Sequence, residues 1–205
     1  MTDLWLEDFI AYDTETTGFG PEARIVELAV VRFSSGTVKE IFSGRFDPPD
    51  VDWSSDAVKG AVEIHGMTEE SLKGCPTFGS HIDVILGYFK GCSVWVAHNA
   101  KFDQRLLQQE FNRWGRTFTV AEQHWSLCTL AIERKLARQT SGGNKLHEAC
   151  ARYGITLEHA HSAEDDTIAC GQLLIAQLKS GRLPKRWMEV ACPSRSVWPK
   201  LQEKQ

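Results

Sequence analysis

Apolar residues fall along this chain in two rhythms. In the first fifty positions they come in short, dense blocks. Residues 8–12 form one block, which predicts a strand and runs into the turn-rich exit Asp13-Thr14-Glu15-Thr16-Thr17-Gly18. Residues 24–33 (RIVELAVVRF) form a second, rich in β-branched side chains, and residues 38–46 a third, after the turn Ser34-Ser35-Gly36. Three strands joined this way predict an antiparallel meander. Residues 47–77 open near Pro48-Pro49, show no clear period, and are expected to be irregular. After them the rhythm changes. Helices are predicted over 81–89, 101–114 and 144–153, the last closed by Gly154, and over 162–179, closed at or just before Gly181. A strand is predicted at 93–97 (SVWVA), and a short strand followed by a helix within 125–137. Strands first, then strands alternating with helices, predict an α/β protein with a mixed sheet.

Composition narrows the class without naming a chemistry. A chain of 205 residues, 42% hydrophobic and 24% charged, suits one globular domain with a full core. The formal net charge of −4 weighs against a broad basic face for nucleic acid, though carboxylates gathered for metal binding would themselves lower the count. Cys75, Cys92, Cys128, Cys150, Cys170 and Cys192 are scattered, with neither a C-x-x-C pair nor zinc-finger spacing, and are expected to be reduced thiols in a cytoplasmic protein. The N-terminus carries Asp3, Glu7 and Asp8 and lacks the basic region of a signal peptide. No apolar run approaches the ~20 residues that span a bilayer, so no membrane partner is expected.

The carboxylates carry the chemistry. On a strand, Asp13 and Glu15 point to one side, where they repel unless a cation lies between them. In the helix predicted over 101–114, Leu106 and Leu107 bracket the face of Asp103, so this aspartate lies within an apolar arc where an unpaired charge is costly. In the last helix, Ala169, Cys170 and Leu173 follow Asp166 at i+3, i+4 and i+7, which centres Asp166 on the buried stripe. Its neighbour Asp165 points away, toward the side of Gln172. Four inward carboxylates from three elements suggest a divalent site with oxygen ligands, favouring Mg2+ or Mn2+ over Zn2+. His161, at the entrance to that helix, gains its interest from this company.

The segments holding these residues resemble the motifs of the DEDDh 3′→5′ exonucleases, the group of the proofreading epsilon subunit of bacterial DNA polymerase III. Asp13-Thr14-Glu15-Thr16-Thr17-Gly18 is similar to the first motif. Ile64-His65-Gly66-Met67-Thr68 resembles I-H-G-[IM]-T. Ala97-His98-Asn99-Ala100-Lys101-Phe102-Asp103 resembles the second motif, A-H-N-A-x-F-D, and the stretch from His161 to Asp166 fits the third, H-x-A-x-x-D. Residues 145–155 resemble L-x-x-L-C-x-x-Y-G-I, with Ala149-Cys150 in place of Leu-Cys. Four motifs in order, across residues 8–178, make a chance match remote. The resemblance implies a ribonuclease H-like fold, a mixed five-stranded sheet flanked by helices.

It also implies a mechanism. Two divalent ions, Mg2+ or Mn2+, would flank the scissile phosphate. Asp13 would bridge both, Glu15 and Asp166 would complete the first, and Asp103 would support the second directly or through water. His161 would act as general base on the attacking water, releasing a nucleoside 5′-monophosphate from the 3′ end of a strand. Thr16, Thr17 and Gly18 would approach the terminal nucleotide, Ile64 and His65 would bound its base and sugar, and His98, Asn99 and Phe102 would meet the strand. His65 and His98 read equally well as ties between loops.

DNA is favoured over RNA as substrate, in proofreading or repair. An RNA 3′-trimming enzyme of the same family and a catalytically silent nucleic-acid-binding module are the alternatives. A polymerase or repair partner is compatible, but no motif supports one. The exonuclease domain is expected over residues 1–180. Residues 181–205 read as a basic tail in which Trp187 and Trp198 interleave with Arg182, Lys185, Arg186, Arg195, Lys200 and Lys204, either packed back on the domain or meeting a strand or partner.

Overall fold

A computed structural model describes residues 8–118, 124–136, 143–157 and 161–183. Five strands form one mixed sheet: β1 (Asp8–Thr16), β2 (Ile25–Ser34), β3 (Thr37–Arg45), β4 (Val94–Ala97) and β5 (Trp125–Cys128), in the order β3-β2-β1-β4-β5. β1, β2 and β3 pair antiparallel, as the meander predicts, while β4 runs parallel to β1 and β5 parallel to β4. β2 is buried on both faces because helices cover each side, which is why its sequence reads as a nearly unbroken apolar run. β3, at the sheet edge, is mostly exposed.

Among the described residues seven α-helices accompany the sheet: α1 (Asp56–His65), α2 (Glu69–Leu72), α3 (Ile82–Lys90), α4 (Ala100–Arg113), α5 (Thr129–Leu136), α6 (Leu146–Arg152) and α7 (Ala163–Lys179). A 3-10 turn, Phe78–His81, leads into α3. α7 lies over the face that carries Phe9 and Phe33, whose rings stack at 4.9 Å between centroids. It lies so close that a Cβ on Gly171 would overlap the Phe33 ring. On the opposite face Tyr12 meets Phe89 of α3 edge-on, and Phe89, Trp95, Phe111 and Phe118 continue an aromatic core.

The structure corrects one expectation of irregularity. Residues 47–77 contain α1 and α2. Only Val58 and Ala61 of α1 are buried, and Gly60 interrupts it, so no wide apolar stripe marks this helix. Its ends define it instead. Ser55 Oγ accepts from the Val58 N–H, and Gly66, in the left-handed conformation at φ 74°, donates to the Val62 carbonyl. In the same way Thr68 and Ser71 form a reciprocal capping box on α2. Elsewhere the differences are at boundaries: β1 extends through the acidic motif to Thr16, and α6 is shorter than residues 144–153, with Gly154 left-handed just beyond it.

The five described cysteines, Cys75, Cys92, Cys128, Cys150 and Cys170, are free thiols. No described helix is long and apolar enough to cross a membrane. Residues 184–205, which hold almost all of the basic tail, lie outside the described residues.

Candidate active site

Three elements end at one place. β1 presents Asp13 and Glu15 on the face covered by α7, and the first turn of α7 brings Asp166 against them. Ligand atoms of Glu15, His161 and Asp166 all lie within 4.8 Å of one another. His161 is exposed and left-handed at φ 71°. Its backbone N–H donates to Asp166 Oδ2 at 3.2 Å. The other oxygen, Asp166 Oδ1, is buried and has no hydrogen-bond partner in the described structure. Asp165, by contrast, is turned aside and partly exposed. Asp103 enters from the first turn of α4, 2% exposed, where Thr14 Oγ1 donates to its Oδ1 at 2.8 Å.

Burial dominates the electrostatics, and the crowding of like charges adds to it at Asp13 and Glu15. Burial pushes the Glu15 carboxyl up to about 8, with the charges of Asp166, Glu27 and Asp103 adding to the shift. Burial likewise raises Asp103 to about 7 and Asp166 to about 6. Asp13 is held well above the usual carboxylate range by burial and then by Asp103, Glu15, Asp166 and Glu27. A set of carboxylates that repel one another, one with an orphaned oxygen, suits an oxygen-binding divalent cation, which would supply the missing counter-charge. Asp13, Glu15, Asp103 and Asp166 are the residues that could hold such ions.

The structure distributes the other sequence-predicted residues around this cluster. The Thr16 hydroxyl donates to the Gly18 carbonyl (2.8 Å), and the Thr17 hydroxyl accepts from the Arg24 N–H (2.9 Å), so both shape the loop. Gly18 takes φ 148°, which other residues rarely adopt. Ile64 is exposed on α1. His65 Nδ1 accepts from the Met67 N–H (3.0 Å), leaving Nε2–H to donate to the Thr16 carbonyl (3.2 Å). Burial lowers its pKa, which keeps the ring neutral. His98 is tied in the same manner, with Nε2 donating to the Asn144 carbonyl (2.8 Å) and Nδ1 meeting the Thr129 hydroxyl (2.9 Å). Asn99 is left-handed at φ 83° where the chain enters α4.

Three residues at the site were not singled out from sequence. Phe19 is 72% exposed next to Gly18, its ring 5.5 Å from that of Phe102. The Arg105 guanidinium lies over Phe102 and donates to the Phe19 carbonyl. Glu27 is buried on β2, directly across from Glu15. A single acid inside the apolar run RIVELAVVRF is the signal that could have found it; Phe19 had none beyond its place after the first motif.

Comparison with known proteins places the chain in a family and a fold. Residues 10–174 match the exonuclease family RNase_T. The DNA polymerase III subunit epsilon of Buchnera aphidicola is 30% identical over 176 residues, covering 81% of this chain and 70% of the relative. A PolC-type DNA polymerase III of Halalkalibacterium halodurans is also 30% identical over 176 residues, but the match spans only 11% of that much longer protein. Among solved structures, E. coli exonuclease I in complex with a dA oligonucleotide superposes with a TM-score of 0.71 at 22% identity, over 89% of this chain and 42% of that one, which shows a shared fold.

Proposed function

Since the chain belongs to the RNase_T exonuclease family, we propose that it removes nucleotides one at a time from the 3′ end of a DNA strand, using two divalent ions, Mg2+ or Mn2+. The observation that carries this reading is the meeting of Glu15, His161 and Asp166, with Asp166 Oδ1 buried and unpaired. Relatives named as DNA polymerase III proteins favour DNA over RNA.

Bound ions would stabilise negative charge on the scissile phosphate and its leaving oxygen. The remaining work falls to the chain. Asp13, Glu15 and Asp166 would hold the ions and so orient the reacting phosphate, and Asp103, fixed by Thr14, would support them from α4. His161 is exposed, so its imidazole can reach a water arriving from solvent, take its proton and release it again. Its backbone hydrogen bond to Asp166 ties that base to the carboxylate it works beside. Phe19, backed by Phe102 and Arg105, offers a face on which a terminal base can stack.

The test uses 5′-labelled DNA and RNA oligonucleotides of one sequence, each with Mg2+ or EDTA. A one-nucleotide ladder on DNA that EDTA abolishes is the expected result. A ladder on RNA alone would keep the chemistry and overturn the substrate. No ladder on either strand, with Mn2+ also supplied, would overturn the reading.

A further inference from the structure

Both oxygens of Glu27 are occupied by the protein. Its Oε1 accepts from Arg45 Nε at 2.8 Å, and its Oε2 accepts from the backbone N–H of Ala163 at 2.9 Å. The first bond runs across the sheet, because Glu27 sits opposite Glu15 on β1 and opposite Arg45 on β3. Glu15, Glu27 and Arg45 therefore form one row on one face. The second bond leaves the sheet and ends on the first residue of α7. That helix start needs an outside acceptor, since Ser162 makes no side-chain cap. Placing a buried acid directly beside Glu15 costs repulsion, and its geometry shows what offsets that cost.

We infer that Glu27 is a positioning residue, which fixes the first turn of α7 at the height where His161 and Asp166 face Glu15. Ala163 lies two residues after His161 and three before Asp166, so the bond grips the middle of the segment that carries both. Further along, the body of the helix packs on the sheet, closest where Gly171 meets Phe33. Each oxygen of Glu27 already accepts a hydrogen bond from the protein, whereas Asp166 Oδ1 is buried with none, which separates the two roles. This inference rests on the metal-dependent reading above.

Three substitutions and three readouts test it. Glu27→Gln keeps an acceptor for Ala163. Glu27→Ala removes it, and Glu27→Met removes it while filling the volume, so it replaces Glu27→Ala if a cavity prevents folding. Amide exchange of Ala163, followed without metal, should speed up in Glu27→Met and stay slow in Glu27→Gln. Calorimetric Mn2+ affinity should fall about 10–100-fold in Glu27→Met. Its kcat should drop by about 100-fold, with KM for the strand changed by less than about threefold. Glu27→Gln should recover most of both. Unchanged Ala163 exchange in a folded Glu27→Met, or a Glu27→Gln as defective as Glu27→Met, would overturn the inference. Asp166→Ala separates the two readings. If it loses Mn2+ while Glu27→Met does not, the positioning role alone fails. If it binds Mn2+ as the parent does, the metal site fails and this inference with it.

Discussion

Buried carboxylates gather in two kinds of place in this molecule, and their surroundings are opposite. Glu110, on α4, accepts from Arg24 Nε (3.0 Å) and Nη2 (2.7 Å) and from Trp114 Nε1 (3.1 Å). Glu133, on α5, accepts from Arg152 Nε (3.1 Å) and Nη2 (2.7 Å), the Tyr153 hydroxyl (3.0 Å) and Gln177 Nε2 (2.9 Å). Each is surrounded by cations and hydrogen-bond donors. At the end of β1, Asp13, Glu15, Asp103 and Asp166 have mainly one another, and their pKa values rise. Burial alone thus does not distinguish a structural acid from a site acid; the sign of its neighbours does.

Breaking each arrangement should give contrasting results. The largest effect is expected at the site. Asp166→Ala should lower cleavage by at least about 1,000-fold, while Asp165→Ala should leave most of it, as read from initial rates on a labelled DNA strand. Equal losses would remove the distinction between the two faces of α7. Stability should respond the other way. Glu110→Ala should cost about 3–5 kcal/mol in denaturant unfolding, because it strands Arg24 in the interior. Asp166→Asn should stabilise the metal-free protein by removing one charge from a repelling set.

A pH series sharpens the same contrast. The acids of the site have folded pKa values above their unfolded ones, so the folded state holds more protons than the unfolded state. In EDTA, stability should therefore be greatest below the unfolded values near 4 and decline as pH rises through about 6, 7 and 8, the values of Asp166, Asp103 and Glu15. Thermal melts across that window should fall by several degrees, and Mn2+ should flatten the slope. A flat profile in EDTA would mean that burial and repulsion do not raise these carboxyls. The smallest effect is expected at the rim: Phe19→Ala should raise KM about tenfold with kcat nearly kept, since base stacking on an aromatic contributes ~1–3 kcal/mol. A change confined to kcat would place Phe19 in the chemistry instead.

Much of this was legible along the chain because periodicity reports burial. The unbroken apolar run of β2, the i+3 and i+4 neighbours of Asp103, and the stripe around Asp166 each fix which side faces inward. α1 and α2 were not legible, because they bury few residues and owe their form to caps at Ser55, Gly66 and Thr68. The histidines divide along the same line. His161 stands in a motif, yet that His98 and His65 spend both ring nitrogens on backbone and hydroxyl partners becomes visible only when residues 31 to 49 positions distant are brought beside them.

The sequence by itself determined the mixed sheet with its flanking helices, the membership of an exonuclease family, and that Asp103 and Asp166 turn toward the interior, since all of these follow from local period and motif order. Tertiary structure alone decided that Glu15, His161 and Asp166 converge to within 4.8 Å, that Asp166 keeps an unpaired oxygen, and that Glu27 reaches from the sheet to the start of α7. The reason is physical. Charge repulsion and hydrogen bonding act over a few ångströms of space, whatever the separation along the chain, and Glu27 and Ala163 are 136 residues apart.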